Sequence, residues 1–87
     1  MQVAVVKEKE KEEAAAISER QAIERAILHS IARHRISPSN ILAVDVCETY
    51  GSYDVFLYLK GSPLVIIVNV EKSGKVYGSY IRSLWGE

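Results

Sequence analysis

The sequence predicts an α+β protein in which one main helix packs on a four-stranded antiparallel meander sheet, in the order α-β-β-β-β. Three observations carry that reading. A helical apolar period runs from residue 18 to residue 36. Four β-rich runs follow, separated by Gly, Ser and Pro. The connections between those runs are only about two to four residues long, which joins antiparallel neighbours and leaves no room for crossovers.

The chain has 87 residues, enough for one core and one domain. A chain this short buries only about 60–65% of its unfolded surface, so its stability is marginal without help. Disulfides cannot supply that help, because Cys47 is the only cysteine. Oligomerisation can.

Taken in chain order, the first feature is Val-Ala-Val-Val at residues 3–6, a short edge strand or an arm. Residues 7–13 alternate Lys and Glu with no apolar stripe, so as a helix they would be solvated on every side. Residues 1–17 are therefore expected to form an N-terminal arm or charged helical extension, and residues 18–87 the α+β domain. Ser18 and Gln21 match a capping box, with Ile17 and Ala22 at the staple positions. The helix begins either there or near Lys7. Ile23, Ala26, Ile27, Ser30, Ile31 and His34 share one helical face. Arg33, His34 and Arg35 bring positive charge to the last turn, and Pro38 stops the helix near Ile36.

The strands are expected at 41–49, 53–60, 63–71 and 75–85, with Gly78 a bend or bulge. Strands with one solvated face alternate apolar and polar residues. The two central runs do not. Val55, Leu57 and Leu59 share one face of the second strand, and Phe56 and Tyr58 the other. Leu64, Ile66, Val68 and Val70 share one face of the third, and Val65 and Ile67 the other. One helix of about 18 residues, roughly 27 Å long and 10 Å wide, covers one face of such a sheet and not two. Self-association as a dimer or larger homo-oligomer is expected on the face left over. The candidate interface is drawn from Val55, Phe56, Leu57, Tyr58, Val65, Ile66, Ile67 and Val68, without deciding which face meets the helix.

Strands 53 to 76 are similar in outline to helix-then-strand modules of the PepSY type, where a strand leads through a Ser-Gly turn into another strand. Here that run is Ile67 to Val76, with Ser73-Gly74 at the turn. Val70 stands where the pattern carries an acidic residue, so the resemblance implies a helix-plus-strands outline and no site.

Charge excludes a strong global attraction to nucleic acid or to anionic membrane. The eleven basic and eleven acidic side chains cancel, and only residues 18–36 are slightly basic, at +2. The alternative functional reading is a nucleic-acid-binding protein. It uses Arg33 and Arg35 at the helix end with Lys60, Lys75, Tyr77, Arg82 and Trp85 on the sheet, where aromatics stack single-stranded bases. In a regular fourth strand Tyr77, Ile81 and Trp85 would share a face.

No catalytic constellation emerges, and no cofactor or metal is expected. His29 and His34 are five residues apart, about 140° around a helix, so they are not expected to converge on a metal. His34 reads as a half-buried, hydrogen-bonded residue of the core. Cys47 reads as a small core residue. Asp45 and Asp54 read as strand positions in water. Gly74-Lys75 follows a strand rather than opening a helix, so it is no phosphate loop. With no apolar run of 18 residues and no signal-peptide pattern, a cytoplasmic location is expected. The scarcity of Gln, Asn, Cys and Met beside abundant Ile, Lys and Glu points to a thermophilic source.

Overall fold

The computed structural model describes residues 16–85. The expected short strand at 3–6 and the charged stretch at 7–13 lie outside the described residues. Helix α1 (Glu19–His34) leads through a short 3-10 turn (Pro38–Asn40) into β1 (Ile41–Glu48), β2 (Ser52–Leu59), β3 (Leu64–Glu71) and β4 (Val76–Ser83). The four strands form one antiparallel sheet whose spatial order is their chain order. This is the α+β meander that the sequence predicts. No described helix is long and apolar enough to cross a membrane.

The helix begins at the second of the two expected starts. Ser18 Oγ accepts from the Gln21 backbone N–H at 3.2 Å, and Gln21 Oε1 accepts from the Ser18 N–H at 3.0 Å. Two of the four orphan donors of the first turn are thereby satisfied. Ile17, assigned to the arm from sequence, belongs to the domain. It is buried, its N–H donates to Lys72 O at 2.8 Å, and its carbonyl accepts from the Tyr53 hydroxyl. The helix stops at His34, two residues before the expected end. Arg35 turns into the left-handed region (φ 58°, ψ 40°), and its N–H caps Ile31 O at 3.1 Å. That fold-back ends the helix before the restriction imposed by Pro38 is felt.

The helix lies on the face of β2 and β3 that carries Tyr53, Val55, Leu57, Ile66, Val68 and Val70. The centre of its buried stripe is small: Ala22, Ala26 and Ser30 have no exposed surface. Small residues there let the helix backbone approach the pleated sheet closely, while Ile23 and Ile27 pack against the core beside them. Full burial of a side chain the size of Leu57 or Ile66 is worth roughly 1.5–3 kcal/mol, so this layer dominates the stability.

Two irregularities set what the edge strands display. The β1–β2 register shifts between Ile41 and Ala43, leaving Leu42 unpaired and exposed. The β3–β4 register shifts between Asn69 and Val70: Asn69 faces Gly78 and Val70 faces Val76, so Tyr77 is the extra residue. The bulge expected at Gly78 thus falls next to it. Because of the bulge, Tyr77 and Ile81 do not share a face. Ile81 pairs with Ile66 of the helix-covered side, and Tyr77 lines a concavity with Ser52, Asn69 and Glu71. Trp85 lies past the end of β4, exposed. Gly74, at φ +103°, makes the β3–β4 turn in a conformation that side-chain-bearing residues rarely adopt, and its carbonyl accepts from Arg25 Nη1 at 3.3 Å.

Candidate functional site

The eight candidate interface residues divide by strand parity. Val55, Leu57, Ile66 and Val68 lie beneath the helix with no exposed surface, so they are core. Phe56, Tyr58, Val65 and Ile67 lie on the opposite face. There the registers build two rows across the sheet. Asp45, Phe56, Ile67 and Tyr80 form one, and Ala43, Tyr58, Val65 and Arg82 the other. At the β2–β3 turn end, Leu84 joins Phe56, Tyr58, Val65, Ile67 and Arg82 around a groove of about 220 Å³.

This face is less open than a flat sheet would be. Val65 and Ile67 sit on the side without a helix, yet they are only 4% and 6% exposed. Their cross-strand neighbours are larger: Tyr58 and Arg82 flank Val65, and Phe56 and Tyr80 flank Ile67. What reaches solvent is the rim: Phe56 and Tyr58 are half-buried, and Tyr80 and Leu84 are 54% and 51% exposed. Sequence alternation finds Phe56 and Tyr58. It does not find Tyr80, whose face depends on the β3–β4 register.

Towards the other end the same face turns polar. Asn69 Nδ2 donates to Asp54 Oδ1 at 2.7 Å and to Ser52 Oγ at 3.2 Å. Asp54, expected in water, is instead half-buried on the central strand β2 and hydrogen-bonded there. Asp45 is exposed on the edge and accepts from the Val46 N–H at 2.9 Å. A second concavity, about 430 Å³, opens over this polar end between Gly51, Ser52, Asn69, Glu71, Ser73 and Tyr77. It is the larger hollow, yet the smaller one holds the apolar residues.

The residues named for nucleic acid do not form one stripe. Lys60, Arg82 and Trp85 stand at the end of the sheet that carries the β2–β3 turn, and Lys75 and Tyr77 at the other. The two groups are roughly 20 Å apart along β4 at about 3.4 Å per residue. Arg33 and Arg35 are exposed at the helix C-terminus. Cys47, expected in the core, is exposed on edge strand β1. It pairs with Asp54 on the face opposite the helix, whereas its neighbour Val46 pairs with Val55 and packs against the core.

The second polar cluster sits where α1 meets β4. His29 Nε2 and His34 Nε2 each lie 2.9 Å from Ser79 Oγ, and the two rings meet edge to face with centroids 6.2 Å apart. The two histidines therefore converge, against the expectation from their angular spacing. The helix alone separates them; β4 supplies a common point on which both long side chains can close. Sequence spacing carries no sign of that strand. His34 is half-buried and hydrogen-bonded, as its place on the apolar stripe implies. Its pKa is held below the usual 6.5, first by burial and then by the positive charge of His29 and Arg33. A serine within 2.9 Å of an imidazole has the spacing of a nucleophile and its base. Here the second imidazole also binds the serine, so no third group orients the base, and the nucleophile sits in the middle of a strand.

Comparisons with protein families, with characterised proteins and with solved structures return no match.

Proposed function

We propose that the protein is a small non-enzymatic assembly module that pairs with a second copy of itself through the sheet face opposite the helix. The observation that supports this most is the set of large apolar groups on that face: Phe56, Tyr58, Tyr80 and Leu84 around Val65 and Ile67. Contiguous aromatic and aliphatic side chains at the surface are what protein interfaces use, and Tyr and Phe are enriched there. Arg82 at the rim adds a polar anchor of the kind such interfaces favour.

Magnitudes set the expected strength. Four strands about 4.8 Å apart and about 24 Å long give a flat footprint near 460 Å² on each copy. Two such faces packed about 10 Å apart cover about 900 Å² in all, at the low end for a specific pair. A dimer that dissociates on dilution follows from that size. A cytoplasmic setting goes with this reading, since Cys47 has no partner in the chain for a disulfide. Sedimentation velocity between about 1 and 100 µM tests it, a range that spans weak to moderate association. A shift of mass toward twice that of the chain supports the proposal, and 9.7 kDa throughout refutes it.

A further inference from the structure

We infer that His29 and His34, with Ser79 between them, form a site for one divalent transition-metal ion of the imidazole-binding kind: Zn²⁺, Ni²⁺ or Cu²⁺. The case begins with convergence. Two ring nitrogens from one helix, five residues apart, aim at a single atom of the facing strand, each at 2.9 Å. A metal ion asks for that arrangement, with nitrogens at about 2.0–2.1 Å. Small rotations of the two side chains bring them to an ion held between the rings. The serine oxygen and water then fill the remaining positions.

The hydrogen bonding also leaves room for the ion. Ser79 has one hydroxyl proton, so it can donate to one ring while accepting the N–H of the other. An ion takes a lone pair from both rings, and the ring that had donated shifts its proton to Nδ1. Metal binding needs neutral imidazole, and burial already disfavours the charged form of His34. One helical turn before His34, on the same face, Ser30 Oγ is buried without a hydrogen-bond partner. This part of the helix–sheet seam therefore holds more polar capacity than the protein's own groups use.

Hard cations are the wrong chemistry. Ca²⁺ and Mg²⁺ want several oxygen ligands, and among the described residues no carboxylate is bound to this cluster. Among the described residues no group of three His, Cys, Asp or Glu side chains assembles, so the ion is held by two strong ligands and an auxiliary oxygen. Binding is accordingly weaker and more readily reversed than at a four-ligand structural zinc site.

Tag-free, chelator-treated full-length protein is titrated with Zn²⁺ while the imidazole nitrogens are followed by NMR. The Nε2 signals of both histidines should move together and saturate at one ion per chain. His29→Ala and His34→Ala should each weaken binding by at least the roughly tenfold that losing even an outer-shell partner costs. Cys47→Ser should leave it unchanged. Ser79→Ala keeps both rings and should retain binding to within about tenfold, which separates loss of ligands from loss of fold. The inference is overturned if neither Nε2 signal moves, if only one does, or if either alanine variant of the histidines binds as tightly as the parent. Abolished binding in a folded Ser79→Ala protein would overturn it too.

Discussion

The Tyr53 hydroxyl donates to the carbonyl oxygen of Ile17 at 3.1 Å, across 36 residues of sequence. With the Ile17 N–H bound to Lys72 O, this ties the residue before the helix to the strands on which the helix must lie. Tyr53→Phe keeps the ring in the core and removes only the donor, leaving a buried carbonyl unpaired. The expected cost is about 1–3 kcal/mol, read by urea unfolding. A change below a few tenths would mean that the helix entry is fixed by the apolar contacts of Ile17 alone.

Ser18→Ala removes the acceptor for the Gln21 N–H and half of the capping box. It should destabilise by about 0.5–2 kcal/mol. Ser18→Gly, which retains the permissive cap backbone, should cost only a few tenths. Thermal unfolding of the two variants side by side checks both the size and the order.

Arg35 is the one non-glycine residue with positive φ among those described. A side chain in that region costs roughly 1–2 kcal/mol, and glycine returns about 0.5–1 kcal/mol of that through its freer unfolded state. Arg35→Gly should therefore stabilise the fold by about 0.5–1 kcal/mol while the capping bond to Ile31 O is kept. Denaturant midpoints at constant m-value would show it.

Acid should weaken the fold through His34. Its folded pKa lies below 6.5, lowered first by burial, so the unfolded chain takes up its proton at a higher pH than the folded one. Between the two values the unfolded state binds more protons, and stability falls as pH drops below about 6.5. Above that pH both states are neutral and the effect vanishes. Unfolding free energies from pH 8 to pH 5, with chelator present, should show the decline. His34→Gln should flatten it.

On the uncovered face, Phe56→Glu and Tyr80→Glu place charge on either side of Ile67 in one cross-strand row, without touching the helix-covered core. Each should abolish self-association and leave the far-UV circular dichroism and the melting behaviour close to the parent's. Loss of folding instead would show that the row holds the monomer together.

The fold was legible because its signals are local. The capping pair Ser18 and Gln21, the period through Ala26 and Ser30, and the turn residues at Gly51, Gly61 and Gly74 each act within a few positions of themselves. The site was legible only in part. Alternation divides Phe56 and Tyr58 from Val55 and Leu57, yet it cannot tell which set meets the helix when both are apolar. It cannot foresee that Val65 and Ile67 are nearly buried on the side without a helix, because that depends on which residues the flanking strands set beside them. The meeting of His29 and His34 lay beyond it altogether, since the third party, Ser79, is 45 residues from His34. Cys47 misled for a simpler reason. A cysteine is small and apolar enough for a core, but its register opposite Asp54 turns it to the face that the helix does not cover.

The extra residue at Tyr77 has a consequence for how this chain can change. Val76 and Tyr80 are both even-numbered, and on an unbroken strand they would look the same way. The bulge puts them in different frames: Val76 packs against the core beside Val70, and Tyr80 pairs with Ile67 on the far side. The tip of the β3–β4 hairpin is thereby decoupled from its body. Insertions or deletions near Gly74 can be absorbed at the bulge, so the outward pattern from Gly78 to Ser83 keeps its phase while the turn drifts.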